Sequence, residues 1–223
     1  MISLASYIDH TILKPTTTSS DIIKLCNEAR QYEFAAVCVP PPLVGVAVEG
    51  VKGGAVKVAT VIGFPFGYSV TAAKLAEVEQ AIADGADELD IVINLVDLRE
   101  GRWAALEAEM TVLTAKAHAG RKIVKVIIES GILSDEEIIR CCRVYSRVGV
   151  DFLKTSTGYA EKGATVEAVQ LMRQHLPAAI RIKASGGIRD ARFARALIAA
   201  GADRLGCSAS VAIVKEEERK NYV

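Results

Sequence analysis

Three short apolar runs each carry one lysine: Val124-Lys125-Val126, Leu153-Lys154-Thr155 and Ile182-Lys183-Ala184. Any one of them reads as well as a snorkelling edge residue or a structural ion pair as it does as a functional group. Three on successive runs are harder to assign to structure alone. Adjacent strands lie about 4.8 Å apart, so sequential pairing would flank Lys154 with Lys125 on one side and Lys183 on the other. Neighbouring positive charge and a low dielectric both disfavour an ammonium. The middle lysine is then expected to be partly a free amine near neutral pH, able to attack a carbonyl and form a Schiff base. Asp90, on the preceding run, suits two compatible roles, counter-ion to the buried lysines and proton carrier. Asp9, in Tyr7-Ile8-Asp9-His10-Thr11, meets the same cluster if the strands close into a ring; an N-terminal structural hydrogen bond explains it equally well.

The elements that would position these residues recur along the chain. Strand-length apolar runs fall at Tyr7–His10, Ala35–Val39, Lys57–Ile62, Glu88–Ile93, Ile123–Ile128, Asp151–Thr155, Ile180–Ala184 and Arg204–Cys207. Helical patterns lie between them at Asp21–Phe34, Ala72–Asp84, Ala104–Ala119, Asp135–Val148, Val166–His175 and Ala191–Ala200. This is βα alternation. Gly85-Ala86-Asp87, Gly149-Val150-Asp151 and Gly201-Ala202-Asp203 form a weak internal repeat where helix gives way to strand, with glycine as a left-handed cap. Ser134 and Glu137 have capping-box spacing, which assigns those carboxylates to a helix start. Within Glu88–Asn94, Leu89, Ile91 and Ile93 share one face, and Glu88, Asp90 and Asn94 the other. Within Ile123–Glu129, Val124, Val126 and Ile128 oppose Lys125 and Glu129. Strands covered on both sides of an open sheet would be more uniformly apolar. An α/β fold of the TIM (β/α)8 barrel type is therefore expected, as one domain over residues 1–223, with its site at the C-terminal ends of the strands.

Composition narrows the function classes. The chain has 223 residues, 51% of them hydrophobic, and 27 basic side chains balance 27 acidic ones. There is no basic field to hold a phosphate backbone, so no nucleic-acid partner is expected. The uncharged stretch Phe34–Val48 is short and broken by Pro40, Pro41 and Pro42, so no membrane span is expected either. Five cysteines without framework spacing read as reduced thiols. The opening Met1-Ile2-Ser3-Leu4-Ala5-Ser6 has no secretory pattern, which makes a cytoplasmic location the expectation. The charged stretch Lys215–Lys220 is expected to be solvated or frayed.

Two glycine-containing loops complete the candidate site. Ser185-Gly186-Gly187-Ile188 and Gly206-Cys207-Ser208 follow the last two strands and precede helices, an arrangement suited to a phosphate. Taken in order, Asp9-His10-Thr11, Val37-Cys38-Val39-Pro40, Gly63-Phe64-Pro65, Asp87-Glu88-Leu89-Asp90, Lys125–Glu129, Lys154-Thr155-Ser156-Thr157-Gly158 and Lys183–Ile188 resemble the deoxyribose-phosphate aldolase family over nearly the whole chain. The pair of runs Lys-Thr-Ser-Thr-Gly and Lys-Ala-Ser-Gly-Gly carries most of that specificity. The resemblance implies a class I aldolase joining acetaldehyde to glyceraldehyde 3-phosphate, with Lys154 as Schiff-base lysine, Lys183 as its electrostatic partner and Asp90 as proton relay. It implies no metal or other cofactor and a homo-oligomer, a dimer foremost. Asp9, Thr11, Cys38, Lys125 and Thr157 are expected to contact substrate, with Gly158, Gly186, Gly187, Gly206 and Ser208 forming the phosphate site. Ala209 departs from the usual strand-eight loop and removes a hydroxyl from that site, and Thr16-Thr17 departs in the first loop.

Other readings fare less well on the residues. Another sugar-phosphate barrel enzyme, such as a transaldolase or an isomerase, is the nearest alternative, and the central lysine argues against an isomerase. A silent sugar-phosphate-binding regulator would have no use for Lys154, Lys183 and Asp90 together. His10, His118 and His175 are too scattered for metal ligation or a Ser-His-Asp triad. No Gly-x-Gly-x-x-Gly run marks a nucleotide cofactor, and nothing marks a partner for a pyridoxal ring nitrogen. Cys38 is expected to line the barrel mouth, and Tyr222 either belongs to a disordered tail or folds over that mouth.

Overall fold

The computed structural model describes residues 3–220. Eight parallel strands, β1 (Ile8–Thr11), β2 (Ala36–Val39), β3 (Lys57–Ile62), β4 (Glu88–Val92), β5 (Ile123–Ile127), β6 (Phe152–Lys154), β7 (Arg181–Ser185) and β8 (Arg204–Cys207), close into a barrel in sequence order. Nine helices among the described residues surround it: α1 (Ser19–Gln31), α2 (Val44–Val51), α3 (Thr71–Ala83), α4 (Leu95–Arg99), α5 (Trp103–Ala119), α6 (Asp135–Val148), α7 (Val166–His175), α8 (Ala191–Ala199) and α9 (Ser210–Lys220). The fold is a TIM barrel, as the alternation of polar and apolar strand faces requires.

That alternation separates two kinds of interior. Leu89, Ile91, Ile93, Val124, Val126 and Ile128 join the apolar layer between strands and helices, together with helix residues such as Leu106, Met110 and Leu113. Glu88, Asp90 and Lys125 turn into the barrel and are buried there. The glycine-containing repeat has a specific purpose. Gly85, Gly149 and Gly201 take positive φ of 95°, 79° and 114°, turning the chain from helix into strand. Asp87, Asp151 and Asp203 then accept from the backbone N–H of Val58, Val124 and Ile182 at 3.0, 2.8 and 2.9 Å, each tying a new strand to the start of its neighbour.

Three elements differ from expectation. Helix α2 has two glycines and four valines, a poor helical composition; it forms because Val44, Ala47 and Val51 pack inward and Gly50 lets it lie close against Cys26 of α1. Asn94 does not share the barrel interior with Asp90. It caps α4, its side chain accepting from Val96 and Asp97. The charged segment from Lys215 is not frayed but forms the second half of α9, where Glu216 accepts from Ala191 N at 3.0 Å and Glu217 from Arg195 Nε at 2.6 Å. Tyr222 lies outside the described residues. No helix among the described residues is long and apolar enough to cross a membrane.

Candidate active site

The strand register decides which lysines meet. Lys154 of β6 pairs directly with Lys183 of β7. On its other side it pairs with Ile127, because Lys125 sits two residues earlier and pairs with Asp90 and Phe152. The three lysines are therefore not in one row, and the expectation that Lys125 flanks Lys154 is corrected. Asp90 joins them from β4: Oδ2 accepts from Lys154 Nζ and Lys183 Nζ, both at 2.7 Å, and Oδ1 from Lys125 Nζ at 2.6 Å. Ring closure adds Asp9, whose Oδ2 accepts from Lys183 and whose Oδ1 accepts from Arg204 at 2.6 Å. Glu88 completes the set, 2.7 Å from Lys125 and 3.4 Å from Arg204. Glu129 does not offset the Lys125 charge as its place in the sequence suggests. The backbone turns left-handed at Glu129, φ 55°, and its carboxylate accepts instead from Thr157 N and Oγ1.

Counting this network shows which lysine can be neutral. Four cations, Lys125, Lys154, Lys183 and Arg204, face three carboxylates, Asp9, Glu88 and Asp90. Within this set one positive charge is in excess, and an incompletely compensated buried charge is relieved by losing its proton. Burial opposes the charge on Lys125, but Asp90, Glu88 and Asp9 together hold it above the ordinary lysine range. Lys183 is likewise raised, because Asp9 and Asp90 outweigh its burial. Lys154 alone of the three is lowered: burial pushes it down, Asp90 opposes this, and the Lys183 ammonium adds to the push. Asp90, although buried, is held well below the usual carboxylate value by the lysines around it.

Lys154 is also the network member that reaches open space. A cavity of about 360 Å³ at the C-terminal end of the strands is lined by Lys154, Thr11, Thr157, Gly158, Gly186, Gly187, Gly206 and Ser208, and by Leu13, Lys14, Tyr159 and Arg189. Asp9, Asp90, Lys125 and Lys183 lie beneath it and do not line it. Cys38 is a correction: it is fully buried beside Ala59 and Val61, and burial pushes its thiol up, so it forms part of the packing under the mouth. Gly186 and Gly187 adopt positive φ of 87° and 79°, and the Cα of Gly163 would stand 3.0 Å from any Cβ at Gly186. Only glycine fits that approach. Across the mouth, the Tyr159 hydroxyl donates to Leu13 O at 2.7 Å and its ring meets Phe64 edge-on.

With this geometry in place, the comparisons are decisive. A family model for DeoC/LacD family aldolases matches residues 3–213. The chain belongs to that family. It is 48% identical to a deoxyribose-phosphate aldolase of Streptococcus gordonii, with 97% of each chain covered. It is 44% identical to one of Treponema denticola, covering 96% of this chain and 99% of the relative. Among solved structures, an aldolase designated QR15 superposes with a TM-score of 0.94 at 37% identity, covering 100% and 99% of the two chains. The tetrameric deoxyribose phosphate aldolase of Aeropyrum pernix superposes with a TM-score of 0.89 at 33% identity, covering 99% and 92%. The DeoC/LacD aldolase fold thus encloses a lysine cluster that sequence reasoning found in part. Glu88 and Arg204 escaped it, although both lie on the inward faces that already held Asp90 and Gly206. Tyr159 and Leu13 lie too far apart in sequence to signal their contact.

Proposed function

We propose that this chain reversibly cleaves 2-deoxy-D-ribose 5-phosphate to acetaldehyde and D-glyceraldehyde 3-phosphate through a Schiff base on Lys154. The observation that carries the reading is the excess cation of the barrel network: it falls on the one lysine of that network that opens to the cavity. In the synthetic direction the Lys154 amine adds to the acetaldehyde carbonyl, and loss of water gives an iminium. Loss of a methyl proton makes the enamine, whose terminal carbon attacks the aldehyde carbon of glyceraldehyde 3-phosphate. Water then hydrolyses the new iminium, releasing the sugar and restoring the amine. Asp90, hydrogen-bonded to both Lys154 and Lys183, is placed in this reading to pass protons by way of Lys183 or water.

The substrate phosphate is assigned to the Ser185–Ile188 and Gly206–Ser208 loops. Gly186 and Gly187 of the first loop, at positive φ, open backbone N–H groups to an anion, and Lys14 and Arg189 on the same wall add positive charge. Ala209 supplies no hydroxyl there, so the grip rests on the backbone, on Ser208 and on those two cations. Thr11 and Thr157 contact the sugar in this reading and Gly158 its phosphate, whereas Asp9 and Lys125 act beneath it by holding charge in place. The active form is taken to be a dimer, which light scattering on the eluted protein tests. The reaction is tested by following cleavage of 2-deoxyribose 5-phosphate with and without a chelator. Chelator-resistant aldehyde release that disappears in Lys154→Met is expected; chelator-sensitive release, or release that survives the substitution, would overturn the mechanism.

A further inference from the structure

His10 follows Asp9 in β1, so it points out of the barrel where Asp9 points in. It is buried behind the strand-eight loop, against Phe34, with ring centroids 5.1 Å apart. Its Nε2 lies 2.9 Å from Glu28 Oε2 on α1, and its Nδ1 lies 3.0 Å from the Oγ of Ser210, the first residue of α9. The Ser210 hydroxyl also lies 2.9 Å from the carbonyl of Cys207. A carboxylate only accepts, so Nε2 carries a hydrogen. Burial pushes the ring below the ordinary histidine range, and the Glu28 carboxylate opposes that push. The Ser210 hydroxyl, whose one hydrogen goes to the Cys207 carbonyl, thus stands between that carbonyl and the ring's Nδ1.

None of the aldol steps uses this buried chain of groups. Its far end is nevertheless next to the cavity. Cys207 stands between Gly206 and Ser208, which both line it, and Ser210 opens the helix whose first turn follows directly. We propose that His10 is a positioning residue for phosphate recognition. Anchored by Glu28, it fixes Ser210, and through Ser210 it holds the Gly206–Ser208 loop and the first turn of α9 in the geometry that receives the substrate's phosphate. The inference rests on the phosphate placement proposed above. It explains why a polar contact runs from α1 through β1 to α9 inside an otherwise apolar layer, where buried polar groups are tolerated only when partnered.

The two ring nitrogens can be separated by substitution. Asparagine at this position reproduces the reach of Nδ1 and keeps the Ser210 contact, whereas glutamine reproduces Nε2 and keeps only Glu28. Cleavage of 2-deoxyribose 5-phosphate and of unphosphorylated 2-deoxyribose would be measured in His10→Asn, His10→Gln, Ser210→Ala and Ser208→Asp. His10→Gln and Ser210→Ala are expected to raise KM for the phosphorylated sugar roughly tenfold, the scale of one charged hydrogen bond, with kcat and the unphosphorylated reaction little changed. His10→Asn should retain most of the parent preference. Equal losses on both sugars, or an unchanged KM in both His10→Gln and Ser210→Ala, would overturn the inference. Ser208→Asp puts an anion on the cavity wall itself. If it leaves the preference for the phosphorylated sugar intact, the phosphate placement fails and the His10 inference fails with it; if it abolishes the preference while His10→Gln and Ser210→Ala do not alter it, only the His10 inference fails.

Discussion

Replacing Lys183 with methionine isolates the charge that acts on Lys154. Methionine has a similar length and no polar head, so the burial of Lys154 is little altered while one ammonium disappears. The two nitrogens share Asp90 Oδ2 through contacts of 2.7 Å each. At a separation of roughly 5 Å and an effective dielectric of about 20, their repulsion is about 3 kcal/mol. Removing it favours the Lys154 ammonium, as does the freeing of Asp90 from one of its cations. The charge count leads to the same result: three cations then face three carboxylates, and Lys154 keeps its proton. A change of that size corresponds to about a hundredfold fewer free amines at neutral pH. Borohydride trapping of the acetaldehyde adduct on Lys154, titrated against pH, reads this directly. Lys183→Met should lower trapping at neutral pH by about that factor and recover it as pH rises, and Lys183→Arg should preserve part of the parent behaviour. Lys125→Met should move the midpoint less, because Lys125 is offset by two residues and is occupied by Asp90 and Glu88. An unchanged midpoint in Lys183→Met would mean that burial alone activates the nucleophile, refuting the charge argument.

Other variants test the supports of the site. Asp9→Asn removes a buried partner of Lys183 and Arg204 and should cost about 3–5 kcal/mol at neutral pH. Lysine and arginine neighbours hold Asp9 below its ordinary value of 3.8 despite its burial, so its stabilisation is complete above that value and lost as pH falls below it. Asp9→Asn should therefore show a shallower loss of stability below about pH 4 in urea unfolding than the parent does, and an equally steep loss would count against this pairing. Gly186→Ala, at φ 87° and against Gly163, should destabilise by at least about 1 kcal/mol and raise KM for the phosphorylated sugar; a neutral effect on both would remove the close-approach argument. Thr157→Val leaves the buried Glu129 carboxylate without its hydroxyl donor and should cost about 1–3 kcal/mol. A loss below about 0.5 kcal/mol by denaturant unfolding would show that the contact is incidental.

The barrel was legible because its strands obey a period of two with polar residues on one face, a pattern that only an enclosed polar interior explains. Strand limits agree to within a residue or so, as with Lys57–Ile62 and Arg204–Cys207. Register was not legible. Even placement of one lysine per run suggested a row, but strand tilt and stagger in a closed barrel shift Lys125 below Lys154. The short helices α2 and α4 were hidden for local reasons, glycine and valine content in one and a five-residue length in the other. The left-handed turn at Glu129 has no signal in a non-glycine residue, so its bond to Thr157 could not be foreseen. The Cys38 thiol was misplaced because the end of a strand was equated with the mouth, whereas Leu13 and Phe64 pack over it.

The central claim is that one particular buried lysine is the nucleophile because it is the cation that the barrel's carboxylates compensate least. Its most direct test is reduction with borohydride in the presence of acetaldehyde at neutral pH, followed by peptide mapping of every lysine. The account predicts a single two-carbon adduct on Lys154, none on Lys125 or Lys183, and loss of activity in proportion to that adduct. An adduct on Lys183 or Lys125 instead, or full activity after Lys154 has been modified, would contradict it.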